Sequence, residues 1–214
     1  MKSDKKSRIR ISSKYRNAWR LHKNYWKNCQ QCNLCEERDR VVLFRGNIPC
    51  NILFVGEAPG KSEDALGFPF VGEAGILFND LIDKAFRQTG FNDNKLQNIK
   101  IGFTNIVACM PLNDDGELRS PVAREAAECR ERLMQMITIA LGSTPGSKAI
   151  VLVGKVANKF LENVTLPTLK SPYTLDISTI KHPAAILRQD GGTYSLSCKR
   201  VINQIEQVIR GLVG

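Results

Sequence analysis

The apolar run Asn-Ile-Leu-Phe-Val at residues 51–55 leads directly into Gly-Glu-Ala-Pro-Gly at residues 56–60. A short continuous apolar run that ends at glycine and proline is typical of a buried strand that enters a tight turn. Comparable runs recur along the chain, and we predict strands at residues 51–55, 100–107, 149–153 and 175–180. Helical spacing of apolar residues predicts helices at residues 12–27, 73–88, 121–141, 156–161 and 197–212. This alternation predicts a single three-layer α/β/α domain around a four-stranded parallel sheet, preceded by a basic helix.

Polar residues follow three of the predicted strands at the points where those strands end. Glu57 follows the first strand, Asn105 lies at the end of the second, and His182 follows the fourth. Ligands of open parallel sheets bind beyond the carboxyl ends of the strands. We therefore expect these three side chains to share one site.

The basic charge of the chain is concentrated at one end. The formal net charge is +10, and residues 1–27 hold ten Lys or Arg against one acid. The remaining 187 residues are nearly neutral, with 21 basic and 20 acidic side chains. We therefore divide the chain into a basic N-terminal extension at residues 1–28 and a domain at residues 29–214. Such an extension favours a salt-sensitive hold on nucleic-acid phosphates, and we expect His22 within it to be solvated.

The distribution of apolar residues argues against membrane and secretory classes. No apolar run approaches the ~18 residues of a membrane span, and the N-terminus lacks the apolar stretch of a secretory signal. We expect a monomer in the cytoplasm, associated with the nucleoid and not with membranes. The alternative is an organellar transit peptide, because such peptides are also basic and poor in acids.

The segment Gly56–Ser62 first suggests a phosphate-binding loop. The P-loop pattern has four residues between its two glycines before Lys-Ser, whereas this segment has three. A shorter loop changes the ring of backbone N–H groups that cradles a phosphate. A nucleoside-triphosphate site is therefore disfavoured. A plain strand-to-helix turn explains the glycines and Pro59, but it does not explain Glu57.

The cysteine pattern indicates a metal site. The seven cysteines are Cys29, Cys32, Cys35, Cys50, Cys109, Cys129 and Cys198. Without a secretory signal they indicate a reducing compartment, where clustered thiols bind metal more often than they form disulfides. Cys29 and Cys32 form a C-x2-C pair, and Cys109 and Cys129 could supply two further ligands, with Cys35 as a possible substitute. Spacing leaves both zinc and a [4Fe–4S] cluster open. We interpret Cys50 and Cys198 as buried small hydrophobic residues.

Five motifs carry a family resemblance. In chain order they are Cys29-x2-Cys32-x-Leu34-x3-Arg38; Gly56-Glu57-Ala58-Pro59-Gly60-x2-Glu63-Asp64; Gly67-x-Pro69-Phe70-Val71-Gly72-x-Ala74-Gly75; Thr104-Asn105-Ile106-Val107-x-Cys109; and His182-Pro183-Ala184-x2-Leu187-Arg188. Together they resemble the family-4 uracil-DNA glycosylases, the iron–sulfur branch of that superfamily. The resemblance covers about residues 29–210 and leaves out the basic extension.

The resemblance implies a DNA-repair enzyme and a cofactor. The enzyme would flip uracil out of DNA and hydrolyse its N-glycosidic bond, leaving an abasic site. The metal site would be a [4Fe–4S] cluster held by Cys29, Cys32, Cys109 and Cys129. The alternative is a non-catalytic iron–sulfur DNA-binding accessory protein with the same fold, which would need none of the three polar residues at the strand ends.

The resemblance also implies a role for each site residue. Asn105 would bind the uracil edge, and Phe70 would stack on the flipped base. His182 would donate a hydrogen bond to the uracil oxygen where negative charge gathers, and Glu57 would hold the attacking water. Glu63 would line the mouth of the pocket. Gly56 and Gly60 complete the predicted substrate-binding set.

Further residues are predicted to contact DNA. Leu187 and Arg188 are candidates for filling the vacated stack and touching the backbone. In the basic extension, Lys14 and Arg16 are candidate phosphate contacts. Residues 110–120 depart from the family, because this loop is longer and more acidic than its usual Pro-rich, Arg-containing counterpart.

Overall fold

The protein is described here by a computed structural model that covers residues 9–162 and 173–213. Its strands are β1 (Ile9–Ile11), β2 (Arg45–Ile48), β3 (Ile52–Gly56), β4 (Ile101–Asn105), β5 (Gly146–Val153) and β6 (Tyr173–Ile180). Its helices are α1 (Arg16–Trp26), α2 (Lys61–Leu66), α3 (Glu73–Gln88), α4 (Asp93–Leu96), α5 (Ala123–Glu128), α6 (Arg130–Leu141), α7 (Lys155–Glu162), α8 (Pro183–Leu187) and α9 (Gly191–Val213). Residues 1–8 of the predicted basic extension lie outside the described residues.

The four predicted strands form the parallel part of the sheet. The strand order is β1-β2-β4-β3-β5-β6, and β4, β3, β5 and β6 run parallel to one another. The α/β fold is confirmed, but the sheet formed by the described residues has six strands rather than four. The additional strands β1 and β2 extend the sheet beyond β4, and β2 runs antiparallel to β4, so the sheet is mixed.

Strand β2 escaped prediction because its sequence, Arg-Gly-Asn-Ile, contains residues that are depleted in strands. Gly46 has a φ of +110°, and a Cβ atom there would lie 2.9 Å from the Cα atom of Gly102 in β4. Glycine alone tolerates both this conformation and this approach. The pairing of β2 with β4 is therefore a tertiary contact that no local pattern reveals.

Helices cover both faces of the sheet, and each face has its own apolar core. On one face, α1 and α6 pack through side chains that include Trp26 and Met136. On the other face, α3 and α9 pack through side chains that include Phe78 and Ile205. All four side chains are at most 1% exposed. Burying each one contributes about 1.5–3 kcal/mol, so packing of these faces fixes the three layers.

Helix α1 packs against α6 with one face, and this corrects the expectation for His22. Trp19, His22 and Trp26 share that face, and His22 is only 3% exposed. The Trp26 Nε1–H donates to Oε1 of Gln135 at 2.8 Å, and His22 Nδ1 lies 3.3 Å from the same oxygen. Burial and the positive charge of Arg132 lower the pKa of His22 to about 4. The prediction of a solvated His22 is wrong, because the helical period places it between two buried tryptophans.

The predicted helix at residues 121–141 is two helices. Helix α5 ends before Cys129 and α6 begins after it, and Cys129 is 8% exposed at the break. Among the described residues, no helix has the length and apolarity needed to cross a membrane.

Candidate active site

The carboxyl ends of β3 and β4 bring Gly56, Glu57 and Asn105 together. Gly56 is paired with Asn105 in the parallel register of the two strands. Beyond the strands, the Ile106 N–H donates to the Gly56 carbonyl at 2.9 Å, and the Val107 N–H donates to the Glu57 carbonyl at 3.0 Å. These bonds continue the hydrogen-bond ladder between β3 and β4 past the ends of the strands. They therefore fix the backbone at Glu57 and Asn105.

Gly56 leaves room for two side chains that converge above it. A Cβ atom at Gly56 would clash with Oδ1 of Asn105 and would lie 2.7 Å from Cζ of Phe70. Asn105 is 3% exposed, and its side-chain amide makes no hydrogen bond to any other described residue. A buried amide with a free donor and acceptor beside an aromatic ring can read both the edge and the face of a planar base.

Phe70 holds its ring in this place through an unusual backbone conformation. Its φ is +57°, in the left-handed region that few residues with a side chain adopt. The Glu63 carboxylate accepts hydrogen bonds from the Val71 N–H at 2.9 Å and the Gly72 N–H at 2.7 Å. A Cβ atom at Gly75 would clash with the Phe70 carbonyl group, so the first turn of α3 packs directly against the backbone of Phe70. These contacts hold Phe70 in a conformation that is unfavourable on its own.

Glu63 also ties this turn to α2. The other oxygen of its carboxylate accepts a hydrogen bond from the Gly60 N–H at 3.2 Å, at the N-cap of the helix. The carboxylate therefore joins three backbone N–H groups from two segments. The substrate-binding roles of Glu63 and Gly60 stay predictions, and these contacts show in addition that Glu63 positions the turn that carries Phe70.

Arg45 is a buried cation beside Phe70 that the sequence analysis missed. It is 3% exposed, its Nε–H donates to the Pro69 carbonyl at 2.9 Å, and its guanidinium lies 3.9 Å from the centre of the Phe103 ring. Burial lowers the pKa of Arg45 to about 10, against the opposing effect of the Glu63 charge. Arg45 therefore stays charged at neutral pH and holds the residue before Phe70, while Glu63 holds the residue after it.

His182 caps α8 directly after β6. The Ala184 N–H donates to His182 Nδ1 at 3.1 Å, so a neutral ring carries its proton on Nε2. The side chain packs on Gly154 at the end of β5, where a Cβ atom would lie 3.1 Å from the Cβ of His182. Burial lowers the pKa of His182, the charge of Arg188 lowers it further, and the charge of Glu63 opposes them. His182 is therefore neutral at physiological pH and offers the Nε2–H as a donor.

Glu57 keeps a free carboxylate at this edge. The residue is partly exposed, and its side chain has no hydrogen-bond or ion-pair partner within the part of the chain that the structure describes. An unpaired carboxylate can orient a water molecule or stabilise a nearby positive charge. Glu57, Asn105 and His182 thus lie at the carboxyl ends of β3, β4 and β6, and their roles stay predictions.

The predicted DNA contacts fall into two separate places. Leu187 and Arg188 end α8 close to His182, and Leu187 is 39% exposed. Lys14 lies instead beside Ser143, with Nζ 3.3 Å from Oγ.

Lys14 and Arg16 lie near the amino end of β4, whereas Asn105 lies at its carboxyl end. Strand β1 runs parallel to β2, and β2 runs antiparallel to β4, so the segment after β1 lies at the amino end of β4. Helix α1 returns from there, and its last turn, with the exposed Lys23 and Lys27, leads into Cys29.

Arg38 bonds to two of the four predicted cysteine ligands, which come from different segments. The Arg38 Nη1–H donates to Sγ of Cys109 at 3.2 Å, and Nη2–H donates to the Cys29 carbonyl. Burial raises the pKa of Cys109 to about 12, Arg38 opposes this, and the Cys129 and Cys32 thiols add to it. Burial raises the pKa of Cys32, and the Cys129 and Cys29 thiols add to it. The four predicted ligands are therefore close enough to affect one another electrostatically.

The donor set fits an iron–sulfur cluster. The buried guanidinium of Arg132 lies by these thiols, and its Nε–H has no hydrogen-bond partner among the described residues. Buried cations and N–H donors beside sulfur are what an anionic, thiolate-bound cluster requires. No group of three or more His, Cys, Asp or Glu in the described ranges is arranged to hold a single metal ion. A cluster spaces its thiolates more widely than one zinc ion does, so this finding is compatible with a cluster.

Residues 110–120 form a hairpin that lies beside Gly60, at the N-cap of α2. Leu112 and Leu118 pair across it, and Arg119 forms a two-point ion pair with Glu125, with N–O distances of 2.9 and 2.6 Å. Leu118 is 52% exposed, and one of its methyl groups lies 4.0 Å from the Cβ position of Gly60. The long acidic loop is therefore a defined structure beside α2.

A cavity of about 390 Å³ lies away from these residues. It lies between the amino-terminal half of β5, most of the length of β6 and the carboxyl-terminal half of α9, and it includes Lys148, Asp176 and Gln204. None of the predicted site residues lines it.

Comparison with known proteins identifies a family. The model of the Uracil DNA glycosylase superfamily matches residues 44–206. The chain is 31% identical over 172 residues to a type-4 uracil-DNA glycosylase of Pyrobaculum aerophilum, which covers 76% of this chain and 81% of the relative. It is 29% identical to the enzyme of the same name from Archaeoglobus fulgidus, over 75% of this chain and 78% of the relative. With the Thermotoga maritima type-4 enzyme it shares 37% identity over 55% of this chain and 58% of the relative.

A solved structure shares the fold. The crystal structure of wild-type Pedobacter heparinus SMUG2 superimposes with a TM-score of 0.52 over 76% of this chain and 77% of that one. The sequence identity is 12%, so this similarity concerns the architecture alone.

Proposed function

This chain belongs to the uracil-DNA glycosylase superfamily, and from that premise we propose that it flips uracil out of DNA and hydrolyses its N-glycosidic bond, leaving an abasic site. The proposal rests mainly on one observation: the Asn105 amide and the Phe70 ring converge over Gly56. They do so at the carboxyl end of the sheet, where Glu57 and His182 also lie. The names of the relatives support the same reaction class.

Asn105 and Phe70 select the base. The free amide of Asn105 offers one donor and one acceptor, which match O4 and N3–H of uracil. Cytosine reverses that pattern and would leave the amide unpaired. The Phe70 ring stacks on the flipped base.

Glu57 and His182 act on the bond that breaks. Cleavage develops positive charge on the sugar and negative charge on the departing base. His182 donates its Nε2–H to the base oxygen where negative charge gathers, an interaction that is stronger in the transition state than in the ground state. The free Glu57 carboxylate orients the attacking water and faces the cationic sugar. The water oxygen forms the new bond to C1′ as the C1′–N1 bond breaks and the base leaves as an anion with that electron pair. The water gives up one proton to the solvent, and the uracil anion takes up a proton after it leaves.

We also propose that Cys29, Cys32, Cys109 and Cys129 hold a [4Fe–4S] cluster. When bound, it supplies iron–thiolate bonds that join the segment after α1 to those after β4 and before α6. A non-catalytic accessory protein is less well supported, because it would not need the free groups of Glu57, Asn105 and His182. The monomeric state and the cytoplasmic location stay predictions.

Uracil release is the direct test. We expect the purified protein to convert end-labelled DNA with one uracil opposite guanine or adenine, or in a single strand, into a product that alkali cleaves at that position. The same oligonucleotide with thymine is the matched substrate control. The absence of alkali-labile sites in all three contexts would overturn the proposal.

The salt dependence of DNA binding tests the basic helix. We propose that Lys23 and Lys27, near the cysteine site, contact phosphates directly, whereas Lys14 and Arg16 attract DNA from a distance. Replacing Lys23 and Lys27 together by Gln should make the slope of log affinity against log salt shallower by about 0.9 per lost contact. The double variant Lys14→Gln and Arg16→Gln is the matched control and should change this slope less. Equal slopes for both variants and the unaltered protein would contradict this assignment.

A further inference from the structure

Arg132 is a buried cation that holds the end of β4. It is 1% exposed in α6. Its Nη1–H donates to Oγ1 of Thr104 at 3.2 Å, and its Nη2 donates to the carbonyl oxygens of Asn105 at 2.6 Å and Ile106 at 2.5 Å. The guanidinium therefore binds the backbone carbonyl of Asn105, whose side-chain amide is proposed to bind uracil.

Arg132 lies between two of the predicted cysteine ligands. It follows Cys129 by one helical turn at the start of α6, and the Asn105 and Ile106 carbonyls that it holds lead directly to Cys109. No carboxylate of the described residues pairs with it, and its Nε–H has no acceptor among them. Burial lowers the pKa of Arg132, and the groups that oppose this are Cys129, Cys109 and Cys29. A buried charge without an opposite charge is strongly unfavourable, so thiolates at these cysteines would stabilise this cation.

We propose that Arg132 is a positioning residue that couples occupation of the cysteine site to the placement of Asn105. The expected effect on catalysis rests on the proposed function. The expected effect on the backbone at Asn105 does not. The planar fork of arginine can hold several acceptors on one side while it faces sulfur on another. When the cysteine site loses its negative charge, the guanidinium loses the partner that keeps it against the Asn105 and Ile106 carbonyls.

Two substitutions distinguish the effect of the Arg132 charge from the effect of its hydrogen bonds. Arg132→Met removes the charge and all three hydrogen bonds, and we expect lower iron and sulfide content and a loss of about 10- to 100-fold in kcat/KM on uracil-containing DNA. Arg132→Lys keeps the charge but cannot reproduce the fork. We expect it to retain most of its iron and to lose activity mainly through a higher KM. Arg130→Met, an exposed position on the same helix, is the control and should change neither property.

Hydrogen exchange of the unaltered protein tests the coupling without any assay of activity. The amides of Ile106 and Val107 bond to β3 and its following turn. We expect these amides to exchange about tenfold faster after iron is removed by chelation, while amides in the centre of β5 stay protected. Arg132→Lys should show fast exchange at Ile106 even with iron bound.

The outcomes separate this inference from the proposed function. If iron removal leaves exchange at Ile106 and Val107 unchanged, or if Arg132→Lys retains both wild-type exchange and wild-type KM, the coupling is overturned. If the unaltered protein releases no uracil, the proposed function fails, but the exchange experiment still decides the role of Arg132. If Arg132→Met does not fold, as judged by circular dichroism, the lysine variant and the exchange of the unaltered protein decide it.

Discussion

His182→Ala should lower kcat for uracil release by about 100- to 1000-fold, the range for removal of one donor that stabilises a developing anion. The structure gives His182 a neutral ring whose Nδ1 is already occupied by the Ala184 N–H at 3.1 Å. Nε2–H is therefore the one ring donor left for a ligand. Single-turnover kinetics would measure the effect, because DNA binding and product release are then separated from bond cleavage.

His182→Asn is the matched control for stability. Alanine also removes the cap of α8, which costs about 1 kcal/mol, whereas asparagine can still cap the helix but cannot reproduce the Nε2–H. We expect both variants to lose similar activity, while only His182→Ala loses the cap and with it thermal stability. Full activity of His182→Asn would show that the donor is elsewhere.

The pH profile provides a second check on His182. Burial, with the charge of Arg188, lowers its pKa from the ordinary value of 6.5. As the pH falls through this lowered pKa, Nδ1 gains a proton and can no longer accept from the Ala184 N–H. Activity should therefore stay level from pH 8 to below 6.5 and then decline, and this decline should be absent in His182→Asn. A decline centred above pH 6.5 would contradict a neutral, buried imidazole.

Asn105→Ala should reduce kcat/KM by roughly 30- to 150-fold, since it removes two hydrogen bonds to the base at about 1–1.5 kcal/mol each. The Asn105 side chain has no other hydrogen-bond partner among the described residues, so little stability should be lost with it. Steady-state kinetics on uracil-containing DNA, together with a thermal melt of each protein, would test both statements.

Asn98→Ala is the matched control for Asn105, because Asn98 is exposed and its side chain, within the described ranges, bonds only to the Asn94 carbonyl. It should leave kcat/KM unchanged. Competition by free uracil gives a separate measurement, since Asn105→Ala should weaken inhibition by uracil as well as catalysis. If Asn105→Ala were inhibited by uracil as strongly as the unaltered protein, the amide would not read the base.

Local pattern was enough to predict the elements that carry the site. The run at residues 51–55 is β3 displaced by one residue, and the predicted helix at residues 73–88 is α3. The first is a continuous apolar run, the second has a helical period, and each has a glycine at one end; these are properties of neighbouring residues. The same reasoning missed β2, whose residues favour a strand only when they lie against β4.

The chemistry of the site was less accessible from the sequence. Glu57 and His182 follow strands, and Asn105 ends one, so all three could be recognised by position. Arg45 and Arg132 lie in ordinary segments of strand and helix. The sequence signal that could have indicated a buried Arg45 is its place directly after the apolar run at residues 41–44. Such a residue is usually solvated, and only the packing of Phe103 and the Pro69 turn around it shows that it is buried.

The sequence by itself determined the alternation of strands and helices, the sheet edge on which the polar residues meet, and the concentration of positive charge near one end. These are local properties, because periodicity and turn residues act over a few positions. The tertiary structure alone decided that the basic helix buries His22, that Lys14 lies at the edge opposite Asn105, and that Arg132 joins the cysteines to β4. The physical reason is that burial and the pairing of charges depend on residues more than 25 positions apart, which meet only when the layers pack.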